Sequence, residues 1–362
     1  MKKISVRLKE NKYAIIINNN LIRQAGTFIG ELKIGKHAYV ITNSLINRDY
    51  GWILKRSLDI RKIKSTFKFV QNSEKAKSIY TCLEIIKDIL KRCRTDDIFI
   101  IAFGGGVIGD LAGFVASIYK RGVPFIQIPT TLLGQIDSGI GGKTAVNLKE
   151  AKNLIGTFYQ PYLVLNDTSL LKTLDVRQIR SGIAEAIKYG VIKNDFILTY
   201  IENHLDKIYA KDEMVLEKLI YYCAKIKAKI VELDEKEKKS YRTVLNFGHT
   251  IGHALEAASQ YKIYTHGEAI AIGMLVALEI GVNLGITSKN SFIRIKKLLG
   301  KVKMPIKINK RVSLDQIIQA YYYDKKFKTT KNRFVLIKDI GRPIIKENIP
   351  LSLIKKTIIR YY

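Results

Sequence analysis

The hydrophobic rhythm of the chain changes part-way along. In the first part, short apolar runs alternate with helical spacings. Residues 13–17 and 37–42 are apolar or alternating and rich in β-branched side chains, so strands are expected there. Residues 98–103, Ile-Phe-Ile-Ile-Ala-Phe, are apolar without a break, the pattern of a parallel strand covered on both faces. Shorter runs at 125–128 and 162–165 predict two more strands. Between them, Ile79, Leu83, Ile86 and Leu90 fall at helical spacing within 74–92, and a second helix is expected from the glycines at 104–109 to about residue 119. Strands alternating with helices argue for an open parallel sheet.

Beyond residue 167 helical spacing dominates, at 176–192, 196–208, 214–233, 243–258, 268–284, 288–299 and 314–322, and only 333–337 reads as a strand. The expected architecture is an α/β N-terminal domain over 1–167, with an open, mostly parallel, Rossmann-like sheet. A mostly α-helical C-terminal domain follows over 168–362, and the active site is expected in the cleft between them. The longest apolar stretch, 269–286, is interrupted by Glu279, Asn283 and several glycines, which fits a buried helix better than a membrane span.

At 362 residues the chain can bury two cores. Its formal net charge of +30 raises the question of a nucleic-acid or anionic-membrane surface. The lysines, however, are spread along the whole chain without arginine clusters or a basic tail, and Ile, Lys, Asn and Tyr are abundant together. A general compositional bias explains this better than a nucleic-acid partner, and a positive field favours a small anionic substrate. The three cysteines form no CxxC pair, and unpaired thiols suit the cytoplasm.

The chemistry concentrates in a few places. Three of the five histidines, His249, His253 and His266, lie close together in sequence, in apolar, glycine-rich surroundings. His249 and His253 are spaced to share one helix face, and neutral imidazole is a good zinc ligand. The pair is not HExxH, because Thr250 stands where that motif has its glutamate, so a zinc-protease reading lacks its general base. Glu185 sits among Ala184, Ala186 and Ile187 and is expected to be partly buried, either paired with Lys188 on the same helix face or holding a metal together with the histidines. Gly104, Gly106 and Gly109 fit G-x-G-x-x-G between a strand and a helix, where main-chain amides can approach a pyrophosphate. The acidic residue that normally follows is missing from 123–131, so the standard dinucleotide fingerprint is incomplete. Gly142-Lys143-Thr144 resembles the end of a P-loop, but Asp137 replaces the first glycine and would repel a triphosphate. These glycines suggest instead a loop closing over a ligand with Lys143 pointing in.

Taken in order, Gly104-Gly-Gly-Val-Ile-Gly-Asp110, Pro129-Thr-Thr131, Asp137-Ser-Gly-Ile-Gly-Gly-Lys143-Thr144, Lys152-Asn-Leu-Ile-Gly156, Ala184-Glu-Ala-Ile-Lys188, Asn246-Phe-Gly-His-Thr-Ile-Gly-His253 and His266-Gly-Glu268 resemble the 3-dehydroquinate synthase family. The resemblance implies an NAD- and divalent-metal-dependent lyase that converts 3-deoxy-D-arabino-heptulosonate 7-phosphate to 3-dehydroquinate and phosphate. That reaction belongs to the shikimate pathway of aromatic amino acid biosynthesis and proceeds by transient oxidation, phosphate elimination, re-reduction, ring opening and an intramolecular aldol. It implies Glu185, His249 and His266 as ligands of one zinc or cobalt ion. For NAD it implies Asn72, Ser73, Glu74, Lys75, Ala76, Lys77, Gly106, Val107, Ile108, Gly109, Asp110, Thr130, Thr131, Lys143, Lys152, Leu170, Leu171, Lys172 and Thr173. For substrate it implies Asp137, Lys143, Asn153, Lys188, Lys227, Arg242, Asn246, His253, Lys325 and Lys326, with Arg121 reaching the phosphate of a neighbouring subunit in a homodimer. Two departures stand out: Ser73 replaces a usual glycine, and the run 236–241 is longer than usual and lacks glycine.

Overall fold

The computed structural model describes residues 1–93, 97–148, 152–326 and 332–362, the last few of the 314–326 helix by backbone only. The chain divides into two compact units, one of Met1–Leu174 with Lys211–Lys236, the other of Asp175–Ala210 with Glu237–Tyr362.

The first unit is built on a seven-stranded sheet. Its strands are β1 (Lys2–Arg7), β2 (Lys12–Asn18), β3 (His37–Thr42), β4 (Lys64–Phe69), β5 (Ile98–Gly104), β6 (Phe125–Pro129) and β9 (Leu163–Asp167), in the order β1-β2-β9-β6-β5-β3-β4. A separate antiparallel pair joins β7 (Lys143–Val146) to β8 (Ile155–Phe158). Every pairing in the large sheet is parallel except β1 with β2. The unbroken apolar run of β5 is explained by its position, because successive side chains point to opposite faces. Ile98, Ile100 and Ala102 enter one core with the helices Ile79–Arg92 and Gly106–Ile118. Phe99, Ile101 and Phe103 enter another on the opposite face, with the helices Ala25–Gly30 and Trp52–Ile60.

Strand order locates a ligand crevice independently of any motif. From β3 the chain moves outward to the edge strand β4, then returns to place β5 on the other side of β3. Such a reversal opens a gap at the carboxyl ends of the two strands, where open α/β sheets bind their ligands. The glycine turn after β5 lies on one side of this gap and Asn43 on the other.

The second unit is mostly helical: Val176–Lys193, Asp195–Tyr209, His249–Ala258, His266–Asn283, Lys289–Lys301, Leu314–Lys326 and Leu351–Ile359, with one antiparallel pair, β10 (Arg333–Ile337) and β11 (Pro343–Glu347). The His266–Asn283 helix is long and apolar enough to cross a membrane by composition, but 72% of that window is buried inside the unit, as the sequence reading anticipated. At Gly273 this helix runs so close to the His249–Ala258 helix that an added Cβ would stand 2.0 Å from the Gly248 carbonyl oxygen.

Two expectations need correcting. The Glu213–Leu233 helix, expected in the helical domain, groups with the sheet unit, so Lys227 belongs there. The helix expected over 243–258 is broken: Tyr241–Asn246 is a 3-10 turn, and Gly248 at φ 78° restarts the chain so that His249 opens the next helix. Lys143 is exposed at the start of β7.

Candidate functional site

In the second unit the helix Val176–Lys193 carries Glu185, whose carboxylate is fully buried. His249 and His266 are each the first residue of a helix, and both turn their Nε2 atoms toward Glu185 Oε1, at 3.4 and 3.1 Å. The other ring nitrogens are engaged elsewhere. His249 Nδ1 lies 3.1 Å from the Phe247 carbonyl oxygen, and His266 Nδ1 lies 3.2 Å from Glu256 Oε2. Both partners accept hydrogen bonds, so each Nδ1 is held as a donor from behind, and Nε2 is the nitrogen each ring would offer a metal. One ligand atom from each of Glu185, His249 and His266 lies within 4.8 Å of the others. The donor set, one carboxylate and two imidazoles, suits zinc or a similar divalent ion and leaves positions open for another ligand.

Lys188 is buried beside Glu185, with Nζ 2.6 Å from Oε2 of that carboxylate. The two readings of Glu185 are therefore compatible, because each carboxylate oxygen has its own side. Burial alone would raise the Glu185 pKa, but Lys188 and His249 hold it well below the usual carboxylate range. Burial lowers the His249 pKa, and Lys188 lowers it further. Burial also opposes a charge on His266, but Glu185 and Glu256 outweigh it and push that pKa up to about 10. His253 is exposed at the edge of the cluster, with its ring 5.2 Å from that of His249 and 6.1 Å from that of His266.

Glu268, in the His-Gly-Glu motif, is not part of this set. It completes a capping box with Thr265 and is gripped by Arg177 through bonds of 2.8 and 2.6 Å. Arg242 is buried, with its guanidinium 3.5 Å from Glu237, and Asn246 is exposed. The glycine-free run before Arg242 turns by placing Glu237 and Ser240 in the left-handed region, at φ 56° and 62°. The side chains of Lys325 and Lys326 lie outside the described residues.

In the first unit, the Gly106–Ile118 helix begins at extended Gly105 with no side-chain cap, so its first amides face the crevice uncapped. An added Cβ on Gly106 would lie 3.0 Å from the Ser138 hydroxyl, which is itself buried and has no hydrogen-bond partner among the described residues. Thr42 and Ser73 carry buried hydroxyls in the same condition. Lys77 binds both Asp110 and Asn153, and Asp110 is pushed up by burial, against the pull of Lys77. Lys152 pairs with Glu74 at 3.2 Å, and Lys227 holds Asp137 through its carboxylate at 2.9 Å and its main-chain oxygen at 2.8 Å. Thr130 is buried, while Thr131 accepts a hydrogen bond from the Gly134 amide. Leu170 and Leu171 are buried, whereas Lys172 and Thr173 are exposed. Arg121 is exposed, in a turn where it and Lys120 both take left-handed φ values.

Two family descriptions match the chain, "3-dehydroquinate synthase N-terminal" over residues 67–181 and "3-dehydroquinate synthase C-terminal" over 182–327. The chain belongs to the 3-dehydroquinate synthase family. A curated 3-dehydroquinate synthase from Desulforamulus reducens is 40% identical over 342 residues, spanning 94% of this chain and 95% of its own. Among solved structures, a 2-deoxy-scyllo-inosose synthase complexed with carbaglucose-6-phosphate, NAD+ and Co2+ covers 100% of both chains at 25% identity and TM-score 0.90. A 2-epi-5-epi-valiolone synthase from Streptomyces hygroscopicus, with NAD+ and Zn2+ bound, shares the fold at 24% identity and TM-score 0.89, over 98% of each chain.

Sequence reasoning missed two features of this synthase-family chain. Glu256 was overlooked although it lies two helical turns beyond His249, on the same face, a spacing that could have found it. Asn43 was overlooked because its role depends on strand order. It is buried, caps the turn after β3 and donates to Asn72 at 3.1 Å.

Proposed function

We propose that this chain converts 3-deoxy-D-arabino-heptulosonate 7-phosphate to 3-dehydroquinate and inorganic phosphate, using NAD and one divalent ion, zinc or cobalt. The observation that carries the reading is the buried Glu185 carboxylate facing the Nε2 atoms of two imidazoles that are held from behind at Nδ1. The uncapped helix start and the buried Ser138 and Ser73 hydroxyls, without a hydrogen-bond partner among the described residues, support NAD in the crevice of the first unit.

When bound, the ion supplies a Lewis acid for a substrate hydroxyl, and the nicotinamide supplies a reversible hydride acceptor. The protein's own groups do the rest. Glu185, His249 and His266 hold the ion, and Lys188 keeps the Glu185 carboxylate ionised. His253, solvent-facing beside the ligand rings, moves the hydroxyl proton. Lys143, Lys152, Asn153, Lys227, Arg242 and Asn246 recognise the carboxylate and phosphate of an anionic sugar acid, where charge-assisted bonds are strong. Lys77 is paired with Asp110, the residue that follows the glycine turn. No dedicated carboxylate base is assigned to the elimination, because the leaving phosphate can itself accept the proton.

We also read the protein as a cytoplasmic homodimer in which Arg121 of one copy serves the phosphate site of the other. The functional test is phosphate release from the heptulosonate phosphate by the metal-loaded protein, compared with glucose 6-phosphate and sedoheptulose 7-phosphate. Release from the first substrate alone, abolished by chelator and restored by zinc or cobalt, is the expected result. Turnover of either other sugar phosphate in its place would assign a different cyclase, and chelator-resistant turnover would remove the metal from the account.

A further inference from the structure

We infer that Glu256 is a positioning residue for the metal centre: it fixes the tautomer of His266 and makes that ring the stronger donor of the two imidazoles. The inference rests on the metal reading given above. Glu256 lies on the His249–Ala258 helix, two turns from His249 and on the same face, and its side chain is largely buried. Its Oε2 sits 3.2 Å from His266 Nδ1, while the opposite nitrogen of that ring faces Glu185 at 3.1 Å. The two nitrogens of an imidazole point away from each other, so Glu256 cannot reach an ion held at Nε2. It acts through the ring.

The two imidazoles are treated differently. Behind His249 stands a neutral acceptor, the Phe247 carbonyl, whereas behind His266 stands a carboxylate. A negative acceptor on Nδ1–H pushes electron density toward Nε2 and raises its affinity for a cation, and losing such a partner typically weakens metal binding by about 10–100-fold. The other carboxylate nearby has a different task. Glu268 is bound to Arg177 and to the Thr265 amide, so its charge is spent within the helix start.

A rival use of the same atoms is a second ion between His253, Glu256 and His266, whose ligand atoms also lie within 4.8 Å of one another. That site would require His266 Nδ1 to lose its proton and the ring to bridge two cations, so the inference specifies one ion per chain.

The test titrates zinc into metal-free protein against a chromophoric chelator, for wild type, Glu256→Gln and Glu268→Gln, with NAD binding measured in parallel. Expected are one zinc per chain, a loss of about 10–100-fold in zinc affinity for Glu256→Gln, no such loss for Glu268→Gln, and unchanged NAD affinity in both. Glu256→Asp keeps the charge but withdraws the oxygen; it should show an intermediate loss and stands in should the glutamine variant not fold. Wild-type affinity in Glu256→Gln, an equal fall in NAD affinity, or two zinc ions per wild-type chain would overturn the inference. A wild-type protein that takes up no zinc or cobalt would instead overturn the metal reading beneath it.

Discussion

Replacing His249 with alanine should abolish turnover without unfolding the protein. The substitution removes one of three proposed ligands, and Lewis-acid stabilisation is worth several kcal/mol, so activity should fall by about a thousandfold or more. The fold should survive because Glu185 keeps two of its three charged or polar neighbours. Lys188 remains at 2.6 Å and His266 at 3.1 Å. Metal analysis, circular dichroism and phosphate release on one preparation check this. Expected are lost zinc, an unchanged far-ultraviolet spectrum and no phosphate. A variant that turns over normally after metal depletion contradicts the role.

The second large effect concerns the scaffold. Gly273→Ala exchanges a helix-interior glycine for the best helix former, a gain of about 0.8–1 kcal/mol in an open helix. Here the added methyl would stand 2.0 Å from the Gly248 carbonyl oxygen and 2.8 Å from the Gly252 amide nitrogen. Those are main-chain atoms that cannot swing aside. Overpacking of this kind typically costs about 1–3 kcal/mol, more when the backbone must shift. The clash therefore wins, and the net effect should be a destabilisation of about 2 kcal/mol or more. Because Gly248 immediately precedes His249, metal affinity should fall as well. Denaturant unfolding and zinc titration measure both effects; an unchanged unfolding midpoint would show that the two helices can separate without cost.

The residues that carry chemistry were easier to read from the sequence than the elements that carry them. Glu185, His249 and His266 could be proposed because a glutamate among apolar neighbours and a histidine cluster in a glycine-rich stretch are both unusual, and the ordered motifs joined them. The rhythm of β5 was legible because a strand buried on both faces leaves no polar gaps. β1 was overlooked although Ile4 and Val6 alternate with Lys3, Ser5 and Arg7: the lysines obscured a strand with one buried face. β4, Lys-Ser-Thr-Phe-Lys-Phe, is an edge strand in which only Thr66 is buried, and it leaves little periodic trace. The Glu213–Leu233 helix could be read as a helix but not assigned to its unit, because an amphipathic stripe does not say which core it covers. The unit division falls near the expected boundary at residue 167, but the chain returns to the first unit at Lys211. The crevice beside β3 required strand order, which periodicity does not contain.

The most direct test of the account follows phosphate and nicotinamide absorbance together, in one reaction with the heptulosonate phosphate, NAD and the metal-loaded protein. The account predicts one phosphate released per substrate consumed, with no net accumulation of reduced nicotinamide. Reduced nicotinamide rising in step with substrate loss, without phosphate, would identify a dehydrogenase and contradict it.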